Sequence, residues 1–158
     1  MTLPAFPPAL ARLNTRLPHL PFSAALVAGL NLAAWPSLKT LDWSHLRGRR
    51  FCVHVRDLGL RAWFSVGAEG FTTQIARRAD VIFTATAEDF LRLALRLEDP
   101  DTLFFNRRLV IEGDTDLGLT VKNMLDGLEL EVVARAMPAG LGRLLPLLRE
   151  QAQARLAA

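Results

Sequence analysis

Between residues 49 and 87 the chain alternates apolar and polar side chains and doubles back twice, and this limits what it can fold into. In "RRFCVHVRD" (49–57), Phe51, Val53 and Val55 stand on one side and Cys52, His54 and Arg56 on the other. A period of two is that of a strand with one face buried. "LRAWFSVG" (60–67) follows the turn Asp57-Leu58-Gly59, "FTTQIA" (71–76) follows Glu69-Gly70, and "DVIFTATA" (80–87) reads as a fourth strand. A meander with two tight turns predicts antiparallel pairing.

Beyond it the period changes. "EDFLRLALRL" (88–97) has helical spacing and ends before a turn, "EDPD" (98–101). "RRLVIEG" (107–113) reads as a fifth strand, and residues 115–128 read as a helix with Leu117, Val121, Met124, Leu125 and Leu128 on one face. A last helix, in two pieces around Pro146, is expected over 140–156. The predicted fold class is α+β, a mainly antiparallel five-stranded sheet with helices packed on one face. At 158 residues, half of them hydrophobic, one domain with a sizeable core is expected.

The ends differ from the middle. Residues 1–21 are proline-rich, and "FSAALVAGLNLAAW" (22–35) holds only Ser23 and Asn31 as polar residues before Pro36 stops the run. A membrane span needs about 20 continuous apolar residues, and the proline-free stretch is shorter, so a buried or interfacial helix is predicted. Residues 1–41 carry Arg12, Arg16 and Lys39 and no acid, and residues 132–158 carry four arginines against Glu150. The middle holds 12 basic and 15 acidic residues. Basic, apolar ends suit an anionic membrane surface rather than nucleic acid, although solvated arginines would leave the same pattern. The expected organisation is a leader and apolar helix over 1–40, a central domain over 41–131 and a basic helical segment over 132–158. A lone cysteine, Cys52, and no secretory signal fit a cytoplasmic protein, peripheral on the inner membrane if its ends dock there.

Glu112, Asp114 and Asp116 alternate at the corner between the fifth strand and the following helix. They invite a metal or acid–base reading, but an apolar helix begins where further oxygen ligands belong. Asp114 or Thr115 stands at the N-cap and Asp116 in the first turn, where carboxylates meet backbone N–H groups and the helix dipole. His19, His45 and His54 lack metal-ligand spacing to one another or to Cys52. Cys52 would be a nucleophile only with a base beside it. No nucleophile elbow, phosphate loop or dinucleotide fingerprint occurs, and tyrosine is absent. No catalytic residue, metal or cofactor is predicted. What the chain has in excess is apolar surface, at Phe64, Val66, Val81, Phe83, Phe90 and Leu103-Phe104-Phe105. That surface either closes into an ordinary core or leaves a pocket for a hydrophobic guest.

The order of elements, and the strand that ends in Gly113-Asp114 before a helix bearing Leu117, Val121 and Leu125, resembles the sterol-carrier-protein (type 2) lipid-binding domain over about residues 46–128. "HVRD" (54–57), "ADV" (79–81) and "DPDTLFFNRRLVIEGDTDLGLTVKNMLDGLELE" (99–131) resemble more closely the bacterial accessory factors of oxygen-independent ubiquinone biosynthesis. The long stretch is specific because it includes surface residues such as Asp101 and Asn106. The resemblance implies an apolar cavity between sheet and helices and a non-catalytic protein that binds a polyprenylated quinone precursor or another lipid. It also implies action beside the iron–sulfur hydroxylase pair UbiU and UbiV. Expected cavity residues are Phe64, Phe83, Phe90, Leu103, Phe104 and Met124, with Phe22 and Leu26 near the mouth and Arg107 or Arg108 meeting an anionic head. A scaffold for the pathway proteins, an enzyme acting on the bound ring and a homo-oligomer remain open alternatives.

Overall fold

The computed structural model describes residues 18–39, 42–126, 147, 149–151 and 153–154. The leader over 1–17, Leu128 and most of the expected C-terminal helix lie outside the described residues. Helices α1 (Leu20–Ala33) and α2 (Trp35–Leu38) come first, then strands β1 (Arg50–Val55), β2 (Leu60–Val66), β3 (Phe71–Thr73) and β4 (Val81–Ala85). Helices α3 (Ala87–Ala94) and α4 (Pro100–Phe105), strand β5 (Val110–Gly113) and helix α5 (Thr115–Asp126) complete the order. Pro36 does not end the helical region as expected. It stands in the first turn of α2, where a missing N–H costs nothing.

The five strands form one sheet in the order β3-β2-β1-β4-β5. Three pairings are antiparallel, β1–β2 and β2–β3 as the two turns predict and β4–β5 besides, but β4 lies beside β1 and runs parallel to it. The segment 74–80 therefore carries the chain from one edge of the sheet back past β2 and β1. Gln74 Nε2 donates to Ser65 Oγ at 2.7 Å, and the Asp80 N–H donates to the Arg50 carbonyl at 2.8 Å. Facing pairs Val66–Phe71, Phe64–Phe51, Phe51–Val81 and Phe83–Ile111 put the large apolar side chains on one face. They form the core with Trp43, Leu46, Leu103 and Leu117. Edge-to-face contacts among Trp35, Trp43, Phe64 and Phe71 close one end of it.

Caps explain where the helices begin. Thr86 accepts from the Asp89 N–H to start α3, and Glu88 and Asp89 fill its first turn. Asp99 accepts from the Thr102 N–H at 2.7 Å with Pro100 next to it, so residues expected as a turn open a short helix, α4. At α5 the Asp114 carboxylate accepts from the Leu117 N–H at 3.1 Å, which confirms the capping corner, and it also pairs with Arg49.

Helix α1 packs against β2 and β3 and serves their backbones. Ser23 Oγ, fully buried, accepts from the Trp63 N–H at 3.0 Å. Asn31 donates to the Phe71 carbonyl and accepts from the Phe71 N–H, each at 2.8 Å. Three backbone groups that β3 is too short to pair, or that face away from the sheet, are thus satisfied. These are the two polar residues of the 22–35 run.

On the opposite side α5 lies close on the sheet because residue 118 is glycine. A Cβ there would stand 2.3 Å from Ile111 Cγ2 and 3.2 Å from Val81 Cγ1. Gly118→Ala gains about 1 kcal/mol of helix propensity but suffers overpacking of about 1–3 kcal/mol. A lower urea midpoint with unchanged slope is expected, and a midpoint equal to or above the parent's would show that Ile111 yields.

Candidate lipid-binding face

The apolar face of the sheet is not equally covered along its length. Phe51 and Val55 of β1 are buried, yet Val53 between them stays partly accessible. Val53 lies on the middle strand, between Ala62 of β2 and Phe83 of β4. The centre of a packed sheet is ordinarily the driest place in a domain. Val53 is one of the partly buried apolar residues packed against the core, and every helix adds others: Leu26, Leu30 and Trp35 from α1 and α2, Phe90 and Leu93 from α3, Phe104 from α4, and Leu119, Val121 and Met124 from α5. These incompletely covered apolar side chains rest on a buried base.

The eight residues predicted for the cavity divide in the structure. Leu103 has no accessible surface, and Phe64 and Phe83 have little, so all three belong to the packed base. Leu26, Phe90, Phe104 and Met124 are partly buried against that base. Phe22 is half-buried in the first turn of α1. Val53, Leu93, Leu119 and Val121 were not expected at the site. Periodicity assigned Val53 and Val121 to the inner face, but no pattern in one sequence reveals incomplete cover.

Charges surround this face in committed pairs. Arg108 donates to Asp89, which is buried, and to Glu98 at 2.6 Å. Arg92 joins Glu88 at 2.7 Å and Glu98 at 3.6 Å. The nearly buried Lys122 of α5 reaches Asp101 of α4, and Arg96 reaches Asp126 at 3.4 Å. Of the two arginines expected at a head group, Arg108 is thus held internally, and Arg107 is exposed. Asp89, Glu98 and Asp101 stand against cations and not around a shared centre. Among the described residues no three His, Cys, Asp or Glu side chains gather as metal ligands.

The opposite face of the sheet is more covered than its polar pattern suggested. Cys52 is fully buried there, and desolvation pushes its thiol up to about 12 against the opposing charge of Arg61. A thiol so placed is not a thiolate near neutral pH. His54 is half-buried on the same face, and burial, with Arg61 second, lowers its basicity. Among the described residues, no helix is long and apolar enough to cross a membrane.

Residues 39–126 match the SCP-2 sterol transfer family. The chain is 40% identical over 144 residues to the ubiquinone biosynthesis accessory factor UbiT of Escherichia coli strain K12, covering 81% of this chain and 82% of that protein. UbiT of Escherichia coli O157:H7 matches with the same identity and coverage. Among solved structures, the ubiquinone synthesis protein UbiJ-SCP2 superposes with a TM-score of 0.52 at 22% identity, over 68% of this chain and 95% of that one. That likeness is one of fold, and it agrees with the five-stranded sheet and the helices on its apolar face. Sequence and fold together place the chain in the SCP-2 sterol transfer family.

Proposed function

We propose that this chain is a non-catalytic lipid-binding accessory factor of oxygen-independent ubiquinone biosynthesis. It holds a prenylated quinone precursor, or another lipid, against the face centred on Val53 and presents it to the pathway enzymes, UbiU and UbiV among them. The observation that carries this reading is the partly accessible Val53 at the middle of the sheet, together with the partly buried apolar side chains that every helix packs against the core. The curated relatives, named as ubiquinone biosynthesis accessory factors, support the pathway, and the family's name supports a lipid guest.

The physical need agrees. Leaving one five-carbon isoprene unit in water costs on the order of 4 kcal/mol, at about 0.8 kcal/mol per CH₂. A tail of several units therefore does not travel free, and a protein that covers it keeps its ring within reach of enzymes. Leu26, Phe90, Phe104 and Met124 would touch the tail, Phe64, Phe83 and Leu103 would support that wall from beneath, and Phe22 would stand near the mouth.

The apolar helix α1 suggests where loading occurs. Leu20 and Leu32 are exposed on it, and residues 17–38 contain no charged side chain except at His19. With the basic 1–40 and 132–158 segments, this face would dock on the anionic cytoplasmic surface of the inner membrane.

Two measurements test these statements. Lipid extracted from the purified protein should contain prenylated phenols, and Val53→Phe, which fills the gap, should lower their recovery and weaken prenylphenol binding at least tenfold. Equal recovery from both proteins would remove the Val53 face as the site. Flotation with phosphatidylglycerol-containing vesicles should fall several-fold in a Leu20→Glu, Leu32→Glu double variant and should fall for the parent at high salt. Point variants are needed because deleting α1 would strip Ser23 and Asn31 from the sheet. Flotation unaltered by the two substitutions would exclude α1 as the docking element.

A further inference from the structure

Helix α3 is buried the opposite way from an ordinary surface helix. Such a helix buries its apolar stripe and turns its charges to water. In "AEDFLRLA" (87–94), Phe90 and Leu93 supply the stripe, yet the buried residue of the helix is Asp89. Phe90 and Leu93 pack against the core and stay only partly buried, and Leu91 is exposed. Apolar side chains left partly wet forgo burial that would otherwise stabilise the helix.

Charge holds α3 instead. Asp89 accepts from Thr86 Oγ1 at 2.8 Å and pairs with Arg108. Arg108 stands on fixed ground, because its N–H donates to the Leu103 carbonyl at 2.9 Å, and Leu103 and the adjacent Leu109 are buried in the core. Arg108 also holds Glu98 at 2.6 Å, and Glu98 meets Arg92 of α3 at 3.6 Å. Just past the helix, Arg96 reaches Asp126 of α5 at 3.4 Å. Ion pairs drawn out of water recover little beyond their desolvation cost, so a helix held this way is positioned without being tightly bound. Its two ends are single residues of non-helical backbone. Thr86 is extended directly after β4, and Arg96 turns left-handed at φ 53°. Hinges lie at such element-terminal positions.

We infer that α3 is a lid on the proposed lipid-binding face, latched through Glu98 and Arg108 and opened whenever a guest enters or leaves. This inference rests on the lipid-binding reading above and adds the route of the guest to it. An apolar chain beneath α3 completes the burial of Phe90 and Leu93 that the protein's own core leaves unfinished. The guest therefore favours the closed lid, and the empty protein opens more readily. Because the guest passes the same lid in both directions, a weaker latch speeds entry and exit together.

The test uses the delipidated full chain and diphenylhexatriene, a neutral apolar probe that fluoresces on leaving water. Saturation with the probe should slow amide hydrogen exchange across residues 88–97 at least about tenfold. Glu98→Gln keeps an acceptor but loses the charge that Arg92 and Arg108 share. In it, association and dissociation of the probe should both be at least about threefold faster, with Kd within about twofold of the parent's. Arg92→Gln should act in the same direction. Arg49→Gln breaks the ion pair at the Asp114 corner instead, and it should leave both rates as they are, which separates a loosened latch from a general loss of stability. Association no faster than the parent's in both latch variants, an equal acceleration in Arg49→Gln, or exchange over 88–97 that the probe does not slow would overturn the lid and leave a lipid carrier in place. Failure of the parent to bind the probe, or farnesol in its place, would bring down the carrier reading and the lid with it.

Discussion

Asp80 is the residue on which the rest of the structure depends. Its carboxylate accepts from the Arg50 N–H at 2.8 Å and from the Arg50 guanidinium at 2.9 Å, and its own N–H donates to the Arg50 carbonyl. Its carbonyl accepts from the Asp114 N–H at 2.8 Å, at the point where Gly113 adopts φ +92°. A Cβ on Gly113 would stand 2.3 Å from that carbonyl oxygen. One residue therefore fixes the parallel register of β4 on β1 and the exit of β5 into α5. A slip by one residue would turn Val81, Phe83 and Ala85 away from the core. The hydrogen bonds from Arg50 hold the Asp80 carboxyl below its usual range. A depressed carboxylate adds stability above its unfolded pKa and loses it as pH falls, so this clamp weakens on the acid side.

Around that fixed centre the two sides of the sheet are finished by different means. On the β3 side α1 offers side-chain oxygens and an amide to the strand backbone, and an apolar helix thereby becomes part of the sheet's hydrogen bonding. On the β5 side the Asp114 corner fixes the start of α5, and Gly118 then lets the helix pack directly on Ile111 and Val81. The first arrangement orients α1 with Ser23, Val27 and Asn31 inward and leaves Leu20 and Leu32 outward. That outward face follows from the need to serve the edge, whatever the helix later touches.

Much of this was legible from residue order, and the failures have physical causes. Alternation identified Phe51, Phe64, Val81 and Phe83 as facing one way, because a period of two is a property of the backbone itself. The capping corner was legible at Asp114 for the same local reason. The parallel β1–β4 pair was not, because parallel neighbours are usually announced by a crossover helix, and residues 74–80 supply only a short irregular strap. Helix α4 was hidden because Asp99-Pro100 serves equally as a turn or as an N-cap with proline at the first helical position. Cys52 read as polar-side by its parity with His54, yet what covers a face is tertiary and leaves no mark on the period. The accessible centre at Val53 was unreadable for a deeper reason, since a valine beside a gap and a valine beside a leucine have the same sequence.

Helix α5, which borders the proposed lipid-binding face, is held by two kinds of attachment with different physical sensitivities. The first turns of α5 are held by Gly113, Asp114 and Gly118 against β4 and β5, through close packing and backbone hydrogen bonds that salt does not weaken. Its later turns, where Val121 and Met124 border the face, are tied to α3 and α4 by Arg96–Asp126 and Lys122–Asp101, pairs whose carboxylates are largely exposed. The Arg96–Asp126 pair contributes little, about 0–1 kcal/mol, and is screened by salt, whereas the Lys122 ammonium is buried. The carrier role proposed above would call for a stiff floor and a compliant rim, and the two ends of α5 differ in that sense.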